Sequence, residues 1–269
     1  MRLFTLVLST LFFLTMSCDS KKATGSELFD ITIKNIQKTY TPADNFKVSI
    51  VNKKSTTIDS LEYFFDSRRI TSSNTNSDLT IHLKNEKLGN RSLEIKIYSG
   101  TTVYEVSKKI TVLSSITPKL YTYRILEEYP HDTNAYTQGL EFKNDTLYES
   151  TGQYKNSSLR KTNYKTGEIY TNISLDDAYF GEGLTILNEK IYQLTWREKT
   201  GFIYDLNTLR KIGSFVYGRS SEGWGLCQDG ESIYKSDGTQ RIWRLNANTL
   251  NEEGFIEIYT NSSKIKSVN

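Results

Sequence analysis

Glu182 stands between Gly181 and Gly183, with Phe180 just before it and Trp196 and Trp224 a short distance further on. Glycine on both sides lets the backbone come close to a bound molecule. Aromatic neighbours would strip water from the carboxyl and raise its pKa toward neutrality. A carboxyl tuned in this way can take a proton from an attacking nucleophile and deliver it to a leaving group. Gln138, also followed by Gly-Leu, offers a donor and an acceptor for gripping an amide or an amine. The same features have plainer explanations: glycine flanks also fit a crowded axis, and Trp196 could be packing between repeated units. Glu149 and Glu222 read as hydrogen-bonded structural acids, and His131, after Pro130, as a turn residue.

These residues recur with a period. Tyr136-Thr137-Gln138-Gly139-Leu140 returns as Phe180-Gly181-Glu182-Gly183-Leu184 and Glu222-Gly223-Trp224-Gly225-Leu226, so the glycines before leucine step by 44 and 42 residues. Tyr148, Tyr192 and Tyr234 keep that step, and Thr166, Thr208 and Thr249 nearly so. A period of about 40 to 45 residues without long amphipathic helices is the signature of propeller blades. Within one unit, Lys190-Ile191-Tyr192-Gln193-Leu194-Thr195-Trp196 alternates polar and apolar residues and leads through a turn into Gly201-Phe202-Ile203-Tyr204-Asp205. That pattern predicts antiparallel strands.

Composition narrows the function classes. The 269 residues hold 18 Tyr and 3 Pro, which favours strands over helices. A net charge of +3 with dispersed basic residues argues against nucleic acid. Two Cys and two His, scattered as Cys18, His82, His131 and Cys227, make neither a disulfide framework nor a zinc centre. Cys227 is expected to be a small buried hydrophobe.

The chain divides in order. Residues 1–18 read as an export signal: one positive charge, an apolar run from Leu3 to Leu14 too short to span a bilayer, and Thr15-Met16-Ser17-Cys18 resembling a lipoprotein cleavage box with Cys18 the acylated residue. Residues 19–27 form a polar tether. Residues 28–115 alternate in five clear strands, Phe29–Ile33, Phe46–Val51, Leu79–Leu83, Leu93–Tyr98 and Val103–Val106, predicting a small Ig-like β-sandwich without site chemistry. His82 falls on its surface. A linker ending at Pro118 precedes a strand expected over Leu120–Tyr129, and residues 119–269 hold the repeats.

Seven ordered segments carry a family resemblance: Tyr129-Pro130-His131-Asp132, Ala135 to Leu140, Leu147-Tyr148-Glu149-Ser150-Thr151-Gly152, Ser157-Ser158-Leu159-Arg160, Tyr179 to Gly183, Gln193-Leu194-Thr195-Trp196 and Glu222 to Leu226. They resemble the plant-type glutaminyl-peptide cyclotransferases and their bacterial relatives, over residues 120 to about 260. The resemblance implies an all-β chain with a five-bladed-type β-propeller that converts N-terminal glutamine to pyroglutamate with loss of ammonia, using no zinc and no cofactor. It implies Glu182 as the catalytic residue and Tyr136, Gln138, Phe180, Trp196 and Trp224 as substrate-binding residues. Relatives more often have Phe at the place of Tyr136. Three repeats fall short of five blades, so the propeller is expected to be incomplete as written. The expected partners are peptides or proteins with N-terminal Gln and, through the lipid anchor, a membrane of the cell envelope; the protein is expected to be a monomer. The alternative is a non-catalytic propeller lipoprotein binding peptide or glycan at its axis. A metal-dependent lactonase is weaker, because the axial positions offer too few carboxylates and His.

Overall fold

A computed structural model describes residues 24–269, so the expected export signal and the expected lipidation at Cys18 fall outside the described residues. Among the described residues no helix is long and apolar enough to cross a membrane. A single helical turn, α1 (Gly25–Leu28), leads into two stacked sheets. The first has the order β1 (Phe29–Lys34), β2 (Asn45–Asn52), β5 (Leu79–His82). The second has the order β4 (Arg68–Ser73), β3 (Ser60–Phe65), β6 (Gly89–Ser99), β7 (Thr102–Val112). The five expected strands are present, together with β3 and β4. Strict alternation along β1 and β3 turns Phe29, Ile31, Leu61, Tyr63 and Phe65 into one core with Leu93, Ile95 and Ile97 of β6. Each such side chain contributes about 1.5–3 kcal/mol by leaving water. β4 carries no apolar alternation and is mostly exposed, which is why its sequence gives no strand signal. His82 is exposed, as expected.

Three four-stranded antiparallel sheets follow, each in simple up-and-down order. The first is β8 (Thr137–Lys143), β9 (Thr146–Thr151), β10 (Ser158–Thr162) and β11 (Ile169–Ser174). The second is β12 (Gly181–Leu187), β13 (Lys190–Thr195), β14 (Thr200–Asp205) and β15 (Lys211–Val216). The third is β16 (Leu226–Gln228), β17 (Ser232–Ser236), β18 (Arg241–Asn246) and β19 (Glu252–Glu257). The first strands stand side by side, β12 between β8 and β16, as the innermost strands of propeller blades do. The repeat periodicity is therefore one blade per unit.

Turn chemistry repeats with the blades. Asn144-Asp145 and Asn188-Glu189 both take positive φ, the two-residue turn whose twist suits a hairpin. Asp205 caps Thr208 through its side chain, and Asn163 and Asn246 do the same for Thr166 and Thr249. The residue after each of these threonines, Gly167, Leu209 and Leu250, has positive φ. The conserved step of the threonines is thus a turn device.

Two expectations fail. Leu120–Tyr129 is not a strand but irregular chain, with Leu120 93% and Tyr123 89% exposed. A strand exists only through a paired neighbour, and this segment pairs with none of the sheets among the described residues. Cys227 is exposed rather than buried, because β16 is a three-residue edge strand whose second residue faces outward.

The sandwich meets the third blade through Arg91 of β6. Its guanidinium is paired with Asp66 at 2.9 Å and with Glu257 of β19, and the Ser114 amide donates to the Thr260 carbonyl at 3.1 Å.

Candidate active site

The inner strands of the first two blades share one irregularity, and it aims the candidate residues. Between Thr137 and Gly139 on β8, and again between Gly181 and Leu184 on β12, the pairing with the second strand slips by a bulge. A bulge re-aims the side chain it carries, and the side chains carried here are Gln138 and Glu182. Both flanking glycines of Glu182 are required by close approach: a Cβ on Gly181 would sit 2.5 Å from the Thr151 carbonyl oxygen, and one on Gly183 2.4 Å from that of Trp224. The Gly183 amide donates to the Trp224 carbonyl at 2.8 Å, tying the second blade to the third.

All six residues expected in a site come together. Tyr136, Gln138, Phe180, Glu182, Trp196 and Trp224 line a cavity of about 320 Å³, with Gln153 and Asn269. In terms of the repeat, Gln138, Glu182 and Trp224 are one position, and Tyr136, Phe180 and Glu222 another. The internal repeat thus supplies a pocket around the axis with a different side chain from each blade.

Glu182 lies at its base, only 7% exposed. Gln138 Nε2 donates to Glu182 Oε1 at 3.2 Å. Burial raises the Glu182 pKa to about 8, reinforced by the nearby carboxylates of Glu222 and Glu198. Phe180 meets Tyr136, Tyr154 and Trp196 edge-on at 6.1, 5.5 and 5.5 Å between ring centres. Gly152 makes room for it, since a Cβ there would sit 2.3 Å from the ring.

Glu222 was expected to be a structural acid, and it is a hydrogen-bonded one that shapes the pocket. One oxygen, Oε2, accepts from both Trp196 Nε1 and Trp224 Nε1 at 2.8 Å, and Arg197, stacked 3.6 Å over the Trp196 ring, approaches Oε1 at 3.4 Å. Partial burial would raise its pKa, but the bonds from Trp224 and Trp196 and the charge of Arg197 outweigh this and hold it below the ordinary range. Glu182, which lines the pocket, and Glu222, which bonds two of its indoles, are therefore pushed in opposite directions.

Glu149 and His131 also behave as structural groups. The Glu149 carboxylate is buried and accepts from Thr137 Oγ1 at 2.6 Å, with His131 Nε2 at 3.0 Å. Sequence reasoning did not single out Gln153, whose left-handed backbone (φ 87°) brings it to the pocket rim. The signal was present in its place after Thr151-Gly152, where the strand must turn.

A larger opening of about 710 Å³ lies on the sandwich. Its arginines are engaged by carboxylates, Arg68 by Glu86 and Arg91 by Asp66 and Glu257. Among the described residues no three His, Cys, Asp or Glu side chains cluster as metal ligands would.

Over 127 residues the chain is 45% identical to a glutaminyl-peptide cyclotransferase of Arabidopsis thaliana, covering 47% of this chain and 39% of that protein. The chain thus spans about two fifths of the length of this curated relative. Among solved structures, the glutaminyl cyclase of Myxococcus xanthus is similar at 30% identity and a TM-score of 0.49, over 53% of this chain and 60% of that one. The family model described as glutamine cyclotransferase matches residues 97–269, from within β6 through all three blades. The chain belongs to the glutamine cyclotransferase family.

Proposed function

We propose that the chain acts as a glutaminyl-peptide cyclotransferase, closing the N-terminal glutamine of a peptide or protein to pyroglutamate and releasing ammonia. The observation that carries this reading is Glu182: a carboxyl buried under aromatic rings, held by one amide, with a pKa of about 8. That value matches the α-amino group of a peptide, whose ordinary pKa is also close to 8.

The chemistry follows from that match. An incoming ammonium gives its proton to the Glu182 carboxylate and becomes a neutral amine. The amine nitrogen attacks the side-chain carboxamide carbon, forming the ring N–C bond and a tetrahedral oxyanion. Collapse of that intermediate breaks the bond to the amide nitrogen. Glu182 delivers its proton to the departing nitrogen, which becomes ammonia, takes up the proton released by the ring nitrogen and passes it to the ammonia or to solvent, which regenerates the carboxylate. The carboxylate shuttle contributes about 100- to 10,000-fold, and folding the flexible side chain into ring geometry between the rings supplies further acceleration. Gln138 is positioned to orient the carboxyl or the substrate amide, and the ring faces of Phe180, Trp196 and Trp224 favour a cation on first encounter. This chemistry asks for no metal ion, so ammonia release is expected to survive exhaustive chelation. Export with a lipid anchor on Cys18 is part of the same proposal and rests on the leader sequence.

The test is ammonia release from a glutamine-initiated dipeptide by the full chain, with Glu182→Gln alongside. Turnover by the native chain and its loss in the variant are expected. Binding of the dipeptide without turnover would replace the reading with a peptide-binding propeller.

A further inference from the structure

Lys235 of β17 is fully buried, yet no step of the proposed reaction uses it. Its ammonium lies 3.6 Å from Glu252 Oε1 and 4.0 Å from the Tyr217 ring centre, donates to Ser220 Oγ, and donates to the Glu222 carbonyl at 2.9 Å. Glu252 is engaged in turn by the Arg219 amide at 2.6 Å, the Ser220 amide at 3.1 Å and the Ser220 hydroxyl. The ion pair therefore grips the backbone of one segment, residues 217–222, from beneath.

That segment ends at the pocket wall. Glu222, whose carbonyl Lys235 holds, carries the carboxylate that bonds both indoles. At the segment's other end the Tyr217 hydroxyl donates to the Thr195 carbonyl at 2.8 Å and accepts from the Thr195 amide at 2.9 Å, next to Trp196. The Gly223 amide donates to the Trp196 carbonyl at 2.8 Å.

Lysine is an expensive residue to bury, and apolar side chains of similar volume pack such a space as well or better. What only lysine supplies here is several donors and a charge at one point, with hydrogen bonds to the Ser220 hydroxyl and the Glu222 carbonyl and an ion pair to Glu252. We infer that Lys235 is a positioning residue: through Ser220 and the Glu222 carbonyl it sets the segment 217–222 so that the Glu222 carboxylate lies between the Trp196 and Trp224 indoles and fixes the pocket wall.

The inference deepens the cyclotransferase reading but has a readout independent of it. The chain has 3 Trp, and two of them are the pocket indoles. In Lys235→Met, intrinsic tryptophan emission is expected to shift and iodide quenching to rise, as in Glu222→Gln. The double variant is expected to match Glu222→Gln alone, because both substitutions release the same indoles. Additive changes, or unchanged emission in a folded Lys235→Met, would overturn the inference. Should Lys235→Met fail to fold, Ser220→Ala removes the hydroxyl bridging Lys235 and Glu252 and is judged by the same two criteria. If the native chain releases ammonia, Lys235→Met is expected to raise KM about tenfold with kcat within about twofold, the signature of lost ground-state binding. An inactive native chain would end the cyclotransferase reading and leave the fluorescence result to decide on Lys235.

Discussion

The sandwich and the blades are both built from antiparallel strands, but their interiors are of opposite character. Among the described residues, every buried Ser, Thr, Gln, Glu, Asp and Lys lies between Glu149 and Asp237, and the sandwich has none. Its core is a single cluster of side chains such as Phe29, Ile50, Leu93 and Ile97. The blades' apolar clusters instead surround a polar inner face, where Gln193 bonds Ser150 and Ser158, and Lys235 bonds Ser220. Buried polar networks stabilise only when fully satisfied, and a half-satisfied one is worse than an apolar core. The sandwich is built for packing, and the blades commit stability to holding particular groups in place.

The sharpest way to break this comparison is to damage each region at its centre. Glu182→Gln is expected to lower kcat for ammonia release by about 100- to 10,000-fold while leaving the protein folded. Ile95→Ala, in the sandwich core, is expected to cost about 2–5 kcal/mol of stability and leave kcat unchanged below its unfolding temperature. Urea melts beside steady-state kinetics separate the two outcomes. A sandwich variant that lost turnover while folded would show that the regions are not divided as described.

A second test follows from the sign of the Glu182 shift. The unfolded carboxyl titrates near its ordinary value, close to 4.3, while the folded one titrates at about 8. Between these values the folded state binds a proton that the unfolded state has released, so this group costs stability as pH rises from about 4.5 to 8. Glu182→Gln removes that cost. The variant is expected to gain on the native chain by roughly 2 kcal/mol between pH 5 and pH 7, at no more than about 1.4 kcal/mol per pH unit. Parallel melts at the two pH values check this. A constant difference would mean that the carboxyl titrates normally.

The network beside the site gives a smaller effect. Gln193 Nε2 donates to Ser150 Oγ at 2.7 Å, across the first and second blades, and Gln193 Oε1 accepts from the Tyr204 hydroxyl at 3.1 Å. Gln193→Leu leaves those buried partners unpaired and is expected to cost about 1–3 kcal/mol in a urea melt. An unchanged midpoint would mean that the inner face tolerates apolar substitution as the sandwich does.

What the sequence disclosed tracks this division. Strand alternation and the glycine-leucine repeat marked both architectures, because burial on one face and close backbone approach leave their trace at fixed spacing. Six pocket residues were legible since each sits at a repeat position or beside one. Glu222 was seen but given a lesser part, because nothing in its spacing reveals that both indoles turn toward one oxygen. Lys235 was invisible: on β17 it looks like an ordinary polar residue, and its burial depends on a segment that folds back from residues 217–222. The Leu120–Tyr129 segment misled for the converse reason, since alternation specifies a strand only where a partner edge exists.

The smallest expected effect tests whether the pocket needs ring faces or polar edges. Tyr136 is 53% exposed, and its ring meets Phe180 edge-on while its hydroxyl has no hydrogen-bond partner among the described residues. Glu182 contrasts with it, being buried and bonded. If the pocket uses Tyr136 only as an aromatic surface, Tyr136→Phe keeps the face and the edge contact and discards only the hydroxyl. KM and kcat are then expected to change by less than about threefold, well under the tenfold that 1.4 kcal/mol would give. A larger loss, measured with the same glutamine-initiated dipeptide, would place the hydroxyl on the substrate and make Tyr136 a polar contact. Tyr136→Ala decides between the remaining alternatives, since it removes the face as well and is expected to raise KM more than the phenylalanine variant does.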